Sequence, residues 1–163
     1  MISALDVARY IIRYSNEQNY STSNLRLQKL LYFVQAYYLA FTPSHEPCFR
    51  EEIEAWDFGP VVPSVYCKFR SFGGSNIPPD TNCYSLNDKD NFWSVREVPY
   101  DSDCISKRDK KLINDIVDKF RAYSTSELVK LTHNQAPWRK SYIPGHHAII
   151  TKETIRDYFN GES

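Results

Sequence analysis

The chain has 163 residues, 20 Lys+Arg against 20 Asp+Glu, and hydrophobic residues make up 42% of it. That length holds one domain, taken as residues 1–163, with a proper core, and the balanced charge offers no overall positive field, which disfavours nucleic acid as the main partner. With 12 Tyr, 9 Phe and 3 Trp, some rings are expected at the surface, where amphipathic aromatics anchor protein partners.

Ser3 followed by Asp6 resembles a helix N-cap with an acidic residue in the first turn. Ala4, Leu5, Ala8, Ile11 and Ile12 then share one face, while Asp6, Arg9, Arg13 and Glu17 share the other, which predicts an amphipathic helix ending near Glu17. The polar link NEQNYSTS supplies Thr22 or Ser23 as the next cap, and a second helix should return antiparallel to the first. That helix, Leu25 to Phe41, is the centre of the design. Leu27, Leu30, Leu31, Phe33, Val34, Ala36, Tyr37, Ala40 and Phe41 cover most of its circumference, so neighbours must bury it on several sides. Only the row Gln28, Tyr32 and Gln35 is free to face water. Arg26 and Lys29 interrupt an apolar run already too short for a bilayer, which needs about 20 residues. No membrane association is expected.

Thr42-Pro43 stops the pattern, and a loop to Pro47 follows. From Phe49 to Phe58 the chain alternates, with Glu51, Ile53 and Ala55 on one side and Glu52, Glu54 and Trp56 on the other, as in a half-exposed strand. Asp57-Phe58-Gly59-Pro60 breaks it, and Pro63 opens a helix to Phe72 whose inward row is Val65, Tyr66 and Phe69. After Gly73-Gly74 comes a Pro-rich turn from Asn76 to Asp80. Cys83 to Leu86 and Phe92 to Val98 read as short strands or ordered loop. Ser106 and Asp109 begin the next helix, with Leu112, Ile113, Ile116, Val117 and Phe120 inward and Lys110, Lys111, Asp115, Asp118 and Lys119 outward. Ser124 and Glu127 make a capping box for a shorter helix carrying Leu128 and Leu131, ending near His133-Asn134. Pro137-Trp138 and Pro144-Gly145 punctuate a loop, and Thr151 caps a last helix, Lys152 to Phe159. The elements add up to a mainly α (α+β) fold, a compact helical bundle around a buried central helix with a small strand or hairpin element.

Chemistry is sparsely signalled. Cys48, Cys67, Cys83 and Cys104 form no C-x-x-C pair, and Met1 leads into the first helix without a signal-peptide pattern, which suits reduced thiols in a cytoplasm. Glu52, Glu54 and Asp57 are enough carboxylates for Mg²⁺ or acid–base work, but the solvated face of an edge strand explains them as well. Cys67 with His133 has the residue types of a thiol nucleophile and its base, although Cys67 beside an inward row reads as a buried, inert thiol. His146-His147 lacks ligand partners at metal spacing, and no G-x-G-x-x-G or P-loop is present. Catalytic residues, metal and cofactor are therefore expected to be absent. Glu54 to Tyr66, EAWDFGPVVPSVY, stands out as a rigid knuckle with two exposed-looking valines, Val61 and Val62. A preorganised apolar projection loses little entropy on binding, while Trp56 and Phe58 are equally explained as core residues of a tight corner.

The blocks LRLQKLLYFVQAYYLA, EEIEAWDFGPVVPSVYCKFRSFG and ELVKLTHNQAPWRKS, in that order, resemble the Panacea antitoxin domain family of SocA-like and phage-associated GepA-like proteins. The resemblance implies a compact, mainly helical domain with a small strand element. It also implies a bacterial or phage antitoxin that neutralises a cognate protein toxin by direct contact, or an adaptor that delivers the toxin to an AAA+ protease. The family's hallmark positions fall on Gln28, Lys29, Leu30, Tyr32, Trp56, Gly59, Pro60, Val61, Pro63, Tyr66, Thr132, His133, Pro137 and Trp138. The candidate partner-binding residues are Trp56, Asp57, Phe58, Gly59, Pro60, Val61, Val62, His133 and Trp138. The rival from another class is a small metal-dependent hydrolase or nuclease using Glu52, Glu54, Asp57 and His133.

Overall fold

A computed structural model describes residues 1–86 and 95–161. Its elements run α1 (Ala4–Glu17), α2 (Asn24–Phe41), β1 (Ile53–Trp56), β2 (Gly59–Val61), α3 (Pro63–Phe69), β3 (Cys83–Leu86), β4 (Val95–Val98), α4 (Lys107–Lys119), α5 (Thr125–His133), α6 (Ala136–Ser141), β5 (Ala148–Ile150) and α7 (Lys152–Phe159). The fold is mainly helical, with two small antiparallel sheets ordered β2-β1-β5 and β3-β4. The serine and threonine caps form as expected: Ser3, Ser23, Ser106, Ser124 and Thr151 each accept from a backbone N–H in the first turn of the helix that follows. Each such cap contributes about 1 kcal/mol.

Helix α2 is in contact with α1, α3, α4, α5, α7 and β2. Leu27, Leu30, Leu31 and Val34 are fully buried along it, and each such side chain contributes roughly 1.5–3 kcal/mol when removed from water. Phe33 stacks on Phe120 of the α4 C-terminus, and Tyr32 and Phe33 both meet Phe159 of α7 edge-on. Phe41, expected inside, is instead half exposed at the helix end beside Tyr37.

The expected water-facing row of α2 is buried: Gln28, Tyr32 and Gln35 have no exposure, and neither has Lys29. Apart from Tyr32, whose partner is a side chain, their polar groups satisfy the irregular backbone wrapped around the helix, because a buried N–H or C=O without a partner is costly. Gln35 accepts from the Cys48 and Phe49 N–H groups and donates to the Phe49 carbonyl. Gln28 accepts from Val62 N, and Tyr32 donates to Gln135 on the α5–α6 link. Arg26 donates to the carbonyls of Phe120 and Tyr123 after α4. A single-helix pattern treats polar residues as solvent-facing, and here tertiary hydrogen bonding replaced water.

The same effect moves other outward residues inward. Arg9 of α1 is only 9% exposed and donates to the Val98 carbonyl. Asp118 of α4 accepts from Tyr14 and Tyr20, and burial first, then that carboxylate, push the Tyr14 hydroxyl up to about 12.

Strand β1 pairs on both sides, so Glu54, the acidic residue within it, does not lie on an edge, while Glu52 and Asp57 flank the strand. The single expected strand is one arm of a hairpin with β2, and β5, unsuspected from its sequence, supplies the other neighbour. Ile53 and Ala55 face the core as the alternation requires. Helix α3 is shorter than expected, with Arg70–Phe72 in a 3₁₀ turn, and Val65 and Phe69 are buried while Tyr66 is half-buried. The segment around Pro137 is helix α6, because Pro sits in its first turn, where its missing N–H costs nothing. Of the two alternatives after Asp80, short strands or ordered loop, strands form. The second runs Val95–Val98, and its expected start at Phe92 lies outside the described residues.

Candidate partner-binding site

The β1–β2 hairpin turns on Asp57 and Phe58, with Trp56 opposite Gly59 across the closing pair. Gly59 has φ +108, a left-handed backbone that glycine adopts without strain. It also permits close approach. A Cβ at this position would lie 2.7 Å from Lys29 Cε and 2.8 Å from Thr132 Oγ1. Beneath it, Lys29 Nζ donates to the Pro60 carbonyl at 2.9 Å, and burial lowers the Lys29 amine to about 7.

Helices α5 and α6 brace the outer side of the same turn. His133 stacks on Trp138, with ring centroids 4.0 Å apart, and Trp138 stacks on Tyr142 at 4.4 Å. Trp138 Nε1 donates to the Trp56 carbonyl at 2.8 Å, and the Tyr142 hydroxyl donates to Asp57 Oδ1 at 2.5 Å. A three-ring ladder is thereby tied to the hairpin at two adjacent residues, Trp56 and Asp57, where β1 enters the turn. Burial, helped by the nearby Lys29 charge, lowers the His133 imidazole, while the Asp57 main chain acts the other way. The Asp57 carboxylate raises the Tyr142 hydroxyl in turn.

On the sheet's outer face Trp56 lies edge-on to Tyr66 and stacks on His147 at 4.4 Å. Its indole N–H donates to Glu54 Oε2 at 2.7 Å. Phe58 stands at the tip, 64% exposed. Beside it lies a cleft of about 270 Å³. A second, more apolar cleft of about 420 Å³ lies between α2, α4, α5 and α7, lined by Phe33, Tyr37, Phe41, Leu112, Ile116 and Phe159 among others.

The expected knuckle residues therefore divide. Asp57 and Phe58 are exposed, Trp56, His133 and Trp138 are half-buried, and Gly59, Pro60, Val61 and Val62 are buried. The two valines seemed exposed because they follow a Gly-Pro break, but β2 is pressed between α2 and α5. They support the projection and do not form it. Tyr142 was missed, and His147 was weighed only as a metal ligand. Trp138 and Tyr142 are four residues apart, a spacing at which rings stack once α6 is recognised as a helix.

Glu54, Asp57 and His133 surround the hairpin, yet among the described residues no group of three or more His, Cys, Asp or Glu is placed to hold a metal ion. Cys67, expected to be buried, is exposed on α3. No helix among the described residues is long and apolar enough to cross a membrane.

The family described as antitoxin SocA-like, Panacea domain, matches residues 27–139, from the second turn of α2 into α6. The chain belongs to the SocA-like Panacea antitoxin domain family. One curated relative, antitoxin SocA of Caulobacter vibrioides (strain NA1000 / CB15N), is 38% identical over 76 residues. The match covers 47% of this chain and 39% of that relative, so it spans well under half of the relative's length. No solved structure matches. Within the Panacea span lie Lys29, the hairpin, Thr132, His133 and Trp138, whereas Tyr142 and His147 lie just beyond it.

Proposed function

We propose that this Panacea chain is an antitoxin that holds its cognate toxin by direct protein–protein contact and performs no chemistry of its own. The contact face is the hairpin, with Phe58 at its tip and Trp56, Asp57 and the His133–Trp138–Tyr142 ladder around it. The carrying observation is the exposure of Phe58 on a turn braced by a buried hydrogen bond from α2 and a partly buried one from α6. A large apolar side chain on a preorganised support loses little entropy on binding, and aromatic anchors of this kind dominate interface energetics. Gly59, Pro60, Val61 and Val62 serve this surface from beneath. Residues 1–163 act as one domain in the cytoplasm.

The test is co-expression with the product of the adjacent reading frame, which is expected to arrest growth alone and to co-purify with this chain. Phe58→Ala should lower toxin affinity at least tenfold, about 1.4 kcal/mol, with thermal unfolding unchanged. Phe41→Ala, on the second cleft, should leave capture intact. Loss of capture with Phe41→Ala and not with Phe58→Ala moves the contact face to the α2–α4–α7 cleft. Toxin half-life in the complex separates neutralisation, in which it is unchanged, from delivery to an AAA+ protease, in which it falls.

A further inference from the structure

We propose that the contact face continues from the hairpin tip across the outer face of the β2-β1-β5 sheet to Ile149, which serves as a second, apolar anchor for the same toxin. The inference rests on the hairpin being the contact face. A stable protein–protein contact buries about 800 Å² on each partner, more than the two exposed turn residues, Asp57 and Phe58, can supply. The face must therefore run on over neighbouring surface.

The sheet register gives the direction. Glu54 lies opposite Val61 on β2 and opposite Ile149 on β5, and residues directly opposite in an antiparallel pair share a face. Trp56, two residues on, shares it as well, whereas Ile53 and Ala55 face the core. Along the outward row exposure rises from Val61 at 2%, through half-buried Glu54, to Ile149 at 51%. The β2 side is closed and the β5 side is open. Between Phe58 and Ile149 the surface is formed by His147, which is exposed and stacks on the Trp56 ring. The carboxylate in the row, Glu54, accepts the Trp56 indole N–H at 2.7 Å and lies 3.7 Å from His147 Nδ1. Its charge is engaged within the chain, so the row offers a partner apolar area at Ile149, and the occupant it fits is an apolar patch of the toxin. Strand β5 lies beyond residues 27–139, which match the family, so Ile149 adds a contact that the matched segment does not contain.

The experiment measures how tightly full-length chains carrying Ile149→Lys or Ile149→Glu hold the product of the adjacent reading frame. Burial against an apolar patch predicts that both charges weaken binding, about fivefold or more, with the unfolding midpoint unchanged. In the methyl-labelled wild type the Ile149 signal should shift on binding, and if a variant lowers the midpoint this signal decides. Weakening by one charge and not by the other overturns the apolar assignment. No weakening by either, or an unmoved Ile149 methyl signal in the saturated complex, overturns the second anchor. If the Ile149 variants are silent while Phe58→Ala weakens capture, the anchor falls and the hairpin contact stands. If Ile149 responds and Phe58→Ala does not, the hairpin leaves the face and the continuity argued from it falls too. A free chain that sediments as a dimer, and that Ile149→Lys splits without loss of capture, would give the patch to a second copy and overturn the proposal.

Discussion

Lys29 Nζ and the Pro60 carbonyl, 2.9 Å apart, join the middle of the fold to the hairpin that carries the exposed face. The amine has no solvent exposure, and burial lowers it from 10.5 to about 7. Between those values the unfolded chain keeps a proton that the folded chain has shed, so stability rises with pH across the window. Below about 7 both states carry the proton and this contribution is flat. The urea midpoint of the wild type should climb between pH 7 and 9.5. Lys29→Met should remove that climb while leaving the Pro60 oxygen without its partner, at about 1–3 kcal/mol. An unchanged pH slope in the variant would show that the amine is not the source.

Gly59→Ala tests the close approach under the turn. The added Cβ meets Lys29 and Thr132 inside 3 Å on a left-handed backbone. Strain of about 1–2 kcal/mol and overpacking of about 1–3 kcal/mol should together lower unfolding free energy by roughly 2–5 kcal/mol. A denaturant curve within 0.5 kcal/mol of wild type, as an order-of-magnitude bound, would contradict the geometry.

Trp138→Phe keeps a ring in the ladder but deletes the donor to the Trp56 carbonyl. The expected loss is about 1–2 kcal/mol, and hydrogen exchange should quicken at the hairpin before it does in α2. Faster exchange throughout the chain would mean that the ladder supports the whole fold and not the turn.

Thiol reactivity should separate the four cysteines. Cys67 and Cys104 are exposed, whereas Cys48 and Cys83 are buried, and burial with the Asp109 charge pushes Cys48 up to about 12. A disulfide reagent at pH 8 should label Cys67 fastest. Cys104 should follow more slowly, since its thiol is also raised and donates to the Asp101 carbonyl. Cys48 should react only on unfolding, because the thiolate is the reacting form, and prompt labelling there would contradict its burial.

Much of this molecule was present in its sequence. Ser3, Ser106, Ser124 and Thr151 announced their helices through local hydrogen bonds that need no tertiary partner, and the all-round apolar surface of α2 required neighbours on every side. The family resemblance, carried by three ordered blocks, also stood in the sequence. Local rules could not say where polar side chains would go. Gln28, Tyr32 and Gln35 look like a wet face in isolation, and they became internal only because the segments around Phe49, Val62 and Gln135 closed over them with hydrogen-bonding partners. The hairpin's second arm, β5 and helix α6 were hidden for a related reason: three-residue strands and a Pro-initiated turn have too little periodicity to register. Tertiary structure alone decided that Val61 and Val62 support the projection while Phe58 forms it. That division depends on the pressure of α2 and α5 on β2, which no window of the sequence contains.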